Sequence, residues 1–162
     1  MKPDFQELAI KGVWQAPLVI YQDRRGWLCE VFRADWSGIA GIRQPVMGYV
    51  SSTLPGMVRG PHEHRQQTDW FVFAGPSDFL VVLWDNRADS PTAGRRLELK
   101  MGAGSPGMLI VPPGVVHAYK NIGHCAGLVL NFPDRLYRGL NRQEAVDEIR
   151  YEEQAESQFW LE

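Results

Sequence analysis

The chain has 162 residues, 44% of them hydrophobic and 22% charged, with 16 Gly and 11 Pro, which is too apolar for a disordered segment and too short for two ordinary domains. Seventeen Lys plus Arg stand against nineteen Asp plus Glu, a formal net charge of −2, and the two signs are interspersed, so nothing marks a nucleic-acid or anionic-membrane partner. A single domain over 1–162 is expected, its core filled by six Trp, seven Phe and five Tyr.

From the N-terminus, residues 1–11 carry Asp4 and Glu7 and hold no apolar stretch of signal-peptide length. The longest apolar runs, such as 79–84, are far too short to span a membrane. A cytoplasmic location is therefore expected. Short runs rich in Val, Ile, Leu, Phe and Trp predict strands near 12–21, 27–32, 46–52, 69–73, 78–84, 95–100, 108–111, 115–120 and 127–132. Turn residues separate them, among them Asp23-Arg24-Arg25-Gly26, Pro55-Gly56, Gly75-Pro76-Ser77 and Pro112-Pro113-Gly114. Many strands with no alternating helices predict an all-β antiparallel sandwich or barrel. Trp70 to Phe73 and Phe79 to Trp84 are apolar on both strand faces, so each needs cover from a second sheet or another subunit, and a homodimer is expected. Only 141–151 predicts a helix: Asn141 can cap, Glu144 stands at the capping-box position, and Ala145, Val146 and Ile149 share a side. Cys29 and Cys125 show no Cys-x-x-Cys spacing and are expected as buried free thiols.

Three of the four histidines fall in two segments. In Gly56-Met57-Val58-Arg59-Gly60-Pro61-His62-Glu63-His64, a strand would turn His62 and His64 to the same side. In the second, Pro112-Pro113-Gly114 sets up a strand carrying His117, followed by Asn121. His124, beside Gly123 in a turn, receives no role. Together the two segments resemble the paired motifs of the cupin superfamily, which implies a small antiparallel jelly-roll barrel, here with the short C-terminal helix added. Gly56, His62, His64, Gly75, Pro112, Gly114, His117 and Asn121 carry the match, and the glutamate of the first motif falls on Thr68 or Asp69.

A narrower resemblance covers about 11–132. Asp23 to Gly26 followed by Glu30, Val58-Arg59-Gly60-Pro61-His62, Asp85-Asn86-Arg87 with Ser90-Pro91-Thr92-Ala93-Gly94, and Val111 to Gly114 with His117 look like the dTDP-4-dehydrorhamnose 3,5-epimerase family. That resemblance implies a homodimeric cupin that acts on a dTDP-4-keto-6-deoxy sugar and uses no metal, so no cofactor is expected. Its base removes protons beside the ketone, and a tyrosine returns them from the other face. Carried over residue by residue, His62 is the base, His117 lies near the keto sugar, and Arg25, Glu30 and Arg59 hold sugar, diphosphate or nucleotide. Arginine's planar, always-charged fork suits a diphosphate. The family's lysine near Thr68, its Gln-x-Asn segment around Met47 to Tyr49, its tyrosine near Leu130 or Asn131 and its C-terminal carboxylate have no counterpart in the sequence. Tyr119 and Tyr137 are the candidate replacements for the proton donor.

Arg59 to Arg65 also resembles the Arg-Gly-x-His-x-His-Lys segment of nucleotide-sugar 3,4-ketoisomerases, where two histidines shuttle protons, so His64 joins the catalytic candidates. The competing class is a metal-dependent cupin, with His62, His64, His117 and a carboxylate such as Asp69 around a divalent transition ion. Asp69 is an odd number of residues from both histidines of its segment, so a regular strand would turn it away unless a turn or bulge intervened. A third reading is a non-catalytic sugar-binding cupin.

Overall fold

The computed structural model describes residues 3–36 and 43–162. Strands are numbered along the chain. A six-stranded antiparallel sheet runs in the order β1 (Gln6–Glu7), β2 (Trp14–Pro17), β10 (Gly107–Val111), β7 (Asp69–Gly75), β12 (Gly127–Asn131) and β5 (Tyr49–Thr53). Facing it is a five-stranded antiparallel sheet in the order β13 (Ile149–Arg150), β6 (Val58–Glu63), β11 (Val115–Asn121), β8 (Asp78–Asp85) and β9 (Arg96–Gly102). A separate hairpin joins β3 (Ile20–Asp23) to β4 (Gly26–Cys29). This is the expected two-sheet jelly-roll. No helix among the described residues is long and apolar enough to cross a membrane.

Alternation along the central strands builds three apolar layers. Phe71 and Phe73 of β7 point between the sheets with Phe79, Val81 and Leu83 of β8, Val115 and Tyr119 of β11, and Leu109 of β10. Trp70 and Val72 point the other way, where Phe5, Phe32 and Trp36 of the same chain pack on them. Val82 and Trp84 meet Phe159, Tyr151 and Leu161 from the C-terminal segment. The second face of each of these strands is covered by other segments of this chain, around Phe5, Phe32 and Trp36 on one side and 151–161 on the other.

The run 12–21 divides into β2 and β3, because Leu18 bonds through its N–H to Pro106 O and the chain then leaves the main sheet. β6 has no apolar run to announce it. Its Gly60 has φ of +81°, and a Cβ there would stand 2.5 Å from His117 O. Only glycine fits this approach, and the pairing with β11 shifts register between His117 and Tyr119, a bulge that tolerates Gly60-Pro61 inside the strand.

The expected helix over 141–151 is absent. The segment contains a short 3₁₀ turn, Leu140–Arg142, and then the two-residue strand β13. Asn141 has φ of 54° and makes no capping bond, while Asp147 accepts the backbone N–H groups of Arg65, Gln66 and Gln67. Ile149 and Arg150 then pair with Glu63 and His62. Three backbone bonds to one carboxylate plus an edge pairing outweigh the weak helical preference of a single short segment. Both cysteines are free, as expected, but Cys125 is exposed and Cys29 only partly covered.

Candidate active site

β6 and β11 lie side by side with His62 opposite His117. Alternation on β6 sends Glu63 outward, where Tyr151 Oη and Asn86 Nδ2 donate to its Oε1, and turns His62 and His64 inward together. Their rings meet at the end of the barrel: centroids are 4.3 Å apart for His62 and His117 and 5.8 Å for His62 and His64. Phe71 closes the floor, 5.3 Å from the His117 ring. The three histidines picked from sequence are one cluster.

Asp69 belongs to this cluster too, which corrects the parity argument. Residues 64–68 form a bend between β6 and β7, so odd spacing says nothing about the direction of a side chain on the next strand. Asp69 Oδ2 lies 3.2 Å from His64 Nε2 and 3.4 Å from His117 Nε2. Its Oδ1 accepts from Gln67 Nε2 at 2.9 Å and Asn131 Nδ2 at 2.8 Å. Asn131 Nδ2 also donates to Tyr49 Oη at 2.8 Å, so the tyrosine hydroxyl has an acceptor role satisfied and its proton available.

Charge follows from these contacts. Burial alone would raise Asp69, but His117 and His64 hold its carboxyl well below the usual range. Burial lowers His62 well below its ordinary value, and the neighbouring His117 and His64 lower it further, leaving a neutral ring at neutral pH. His64 is opposed by burial yet raised to about 9 by Asp69. Tyr49 is pushed up by burial and by the charge of Asp69, which keeps its phenol protonated.

Sequence reasoning missed Glu148. Its Oε1 stands 3.9 Å from His62 Nε2, at the place where a C-terminal carboxylate had no visible counterpart. The signal was hidden because β13 reaches β6 across more than eighty residues of sequence. It also missed Tyr49, which projects from β5 beside Asn131.

A cavity of about 930 Å³ opens beside the cluster. Tyr49, His64, Tyr137 and Glu148 line it together with five arginines, at 65, 135, 138, 142 and 150. Arg150 is paired with Glu148, and Arg135 Nε donates to Gln66 O; Arg65 and Arg142 have no ion pair among the described residues. None of these arginines was expected from sequence. Of the expected binding residues, His117 sits in the cluster. Arg59 ties β6 to β5 by donating to Thr53 Oγ1 and Ser52 O. Arg25, paired with Asp23, lies on the β3–β4 hairpin, and Glu30, paired with Arg33, follows it; both stand outside this cavity. Of the expected donors, Tyr137 is half-exposed on the cavity wall, and Tyr119 is buried deeper with its hydroxyl on Ser51 Oγ at 3.0 Å.

Comparison with known proteins agrees with this architecture. The chain is 37% identical over 121 residues to a probable low-salt glycan biosynthesis epimerase of Haloferax volcanii, covering 74% of this chain and 76% of that protein. It is 33% identical over 129 residues to the spore coat polysaccharide biosynthesis protein SpsL of Bacillus subtilis, covering 79% and 82%. The crystal structure of a dTDP sugar isomerase from Desulfovibrio desulfuricans superposes with a TM-score of 0.79 at 25% identity, covering 93% of this chain and 90% of that one. The sequence model described as dTDP-4-dehydrorhamnose 3,5-epimerase matches residues 7–145. With both motifs inside the matched region and the barrel built as that resemblance implies, the chain belongs to the dTDP-4-dehydrorhamnose 3,5-epimerase family of sugar-nucleotide epimerases.

Proposed function

We propose that the chain epimerises a dTDP-4-keto-6-deoxy sugar by removing and returning protons on carbons beside the ketone. The observation that carries this reading is a buried His62 backed by Glu148, a carboxylate that also lines the arginine-rich cavity. A base works best when it is unprotonated at rest and its conjugate acid is stabilised once formed. Burial supplies the first condition for His62, and Glu148 supplies the second. The cavity volume falls in the range of small-molecule sites, and the free forks of Arg65 and Arg142 suit a diphosphate.

Tyr49 is the proton donor in this reading. It shares the cavity wall with His64, accepts a hydrogen bond from Asn131 and keeps its own proton for donation. Donation by Asn131 to the phenolic oxygen also favours the phenolate left behind. A strand partnership replaces the missing tyrosine: Tyr49 on β5 is the Cα partner of Asn131 on β12, where the family's tyrosine was expected.

The test is solvent exchange. Incubation with dTDP-4-keto-6-deoxyglucose in D₂O is expected to place deuterium on the carbons flanking the ketone, and His62→Asn is expected to lower the exchange rate by about 10²–10⁴-fold. Full exchange in that variant overturns the assignment of the base. The product's stereochemistry by NMR distinguishes epimerisation from 3,4-ketoisomerisation.

A further inference from the structure

The segment that carries Glu148 to the base is weakly built. β13 is two residues long and lies at the edge of its sheet, and 151–162 hold no strand or helix. An edge element this short has little stability of its own, so its placement depends on what else grips it. Asp147 fixes one end on the backbone of 65–67. At the other end the N–H groups of Tyr151 and Glu152 both donate to Pro61 O, at 2.8 and 3.3 Å, and the chain passes to the outer face of the sheet.

Alternation divides both strands between two faces. On β6, His62 points inward and Glu63 outward. On the C-terminal segment, Glu148 and Arg150 line the cavity, while Tyr151 packs in the outer layer with Val82, Trp84 and Phe159, its ring 4.8 Å from that of Phe159. The contacts are therefore reciprocal. Inside, the segment's carboxylate meets the histidine of β6, with Glu148 Oε1 3.9 Å from His62 Nε2. Outside, the segment's phenol meets the carboxylate of β6, with Tyr151 Oη donating to Glu63 Oε1 at 2.6 Å. Asn86 Nδ2 donates to both of these oxygens at 3.1 Å. Glu63 is only 6% exposed, and its Oε2 has no hydrogen-bond partner among the described residues. A carboxylate is expensive to bury, and an apolar side chain would serve a merely packed face as well or better.

We propose that Tyr151 and Glu63 are positioning residues for the base: their bond on the outer face sets where the segment lies along β6, and with it the reach of Glu148 to His62 on the inner face. This rests on the reading of His62 as base and Glu148 as its backing carboxylate. Tyr151 stands three residues after Glu148, about 10 Å of extended chain, so a slip at one is carried to the other. Apolar packing alone lets a ring slide over its neighbours. A short bond to a charged acceptor holds one position.

Tyr151→Phe deletes the clasping oxygen and keeps the ring against Phe159, and thermal melting checks that the variant folds. Backbone amide hydrogen exchange, read without any sugar, is expected to quicken at least about ten-fold at positions 151 and 152. In the sugar exchange assay kcat is expected to fall about ten-fold with KM held within about two-fold, and Glu63→Leu, which removes the acceptor instead of the donor, is expected to match it. In a Glu148→Gln background Tyr151→Phe is expected to cost nothing further, because the two act as one unit. Unchanged amide protection overturns the clasp. A ten-fold loss that persists in the Glu148→Gln background overturns the link to the base, as does a loosened segment with kcat intact, which would leave Asp147 as a sufficient anchor. Failure of the base reading shows separately, as full exchange in His62→Asn; it removes the link to catalysis, while amide protection still decides the clasp.

Discussion

Removal and return of the proton are assigned to different residues, and this makes them separable. His62 is neutral because burial and two neighbouring imidazoles disfavour its cation; Tyr49 is protonated because burial and Asp69 disfavour its anion. Tyr49→Phe deletes one oxygen and leaves the ring on β5. The expected result is deuterium exchange near the wild-type rate with inversion slowed about 10²–10⁴-fold, measured by NMR on one reaction mixture. Unchanged inversion would transfer the donor role to Tyr137, which shares the cavity wall. The histidines were legible because their spacing and the turn before His117 are local patterns. Tyr49, Glu148 and the arginine wall were not. Each reaches the site through a pairing between distant strands, and no local pattern records which strands pair.

Between β8 and β9 the turn is held by one carboxylate. Asp85 has a fully buried side chain and accepts from Arg87 Nε at 2.7 Å, Ser90 Oγ at 2.6 Å and Thr92 Oγ1 at 2.6 Å. Burial alone would raise it, but these donors hold it well below the carboxylate range. Its folded value lies below its unfolded one, so Asp85 contributes stability that is complete above about pH 4 and fades as the pH falls through the acid range beneath. Asp85→Asn is expected to cost about 2–4 kcal/mol at neutral pH by denaturant unfolding, and the difference from wild type is expected to shrink toward about pH 2. A pH-independent gap would show that packing, not charge, supports this turn. The Ser90-Pro91-Thr92 run was readable as a turn; its use as a ligand set for Asp85 needed the fold. The C-terminal segment shows the opposite case. Its helical pattern was real in the sequence and lost to Asp147 and β13, because an amphipathic stretch this short gains more from edge pairing than from its own propensity.

For the molecule as a whole, two of the features that expose apolar surface are also open to a further strand. The β3–β4 hairpin, a two-stranded sheet to which no other strand pairs among the described residues, exposes Tyr21 at 48%, Trp27 at 53% and Leu28 at 64%. At the other, β5 is an edge strand and exposes Val50 at 61%, beside Leu128 of β12 at 42%. A hairpin standing alone is marginally stable in water, and an open edge invites a strand. The homodimer expected from the sequence would pair these features if the hairpin of each copy added to the β5 edge of the other, the self-complementary pattern of a twofold dimer. If that exchange carries Arg25, at the hairpin turn, and Glu30, just after it, to the cavity of the other copy, it supplies the binding role that their position in a single chain does not. Light scattering is expected to give a dimer for wild type and a monomer for Leu28→Lys. Arg25→Ala is expected to remain a dimer with KM raised about ten-fold, the loss of one charged contact to the diphosphate. A monomeric wild type would leave the hairpin's apolar face without an occupant and remove Arg25 and Glu30 from the binding site altogether.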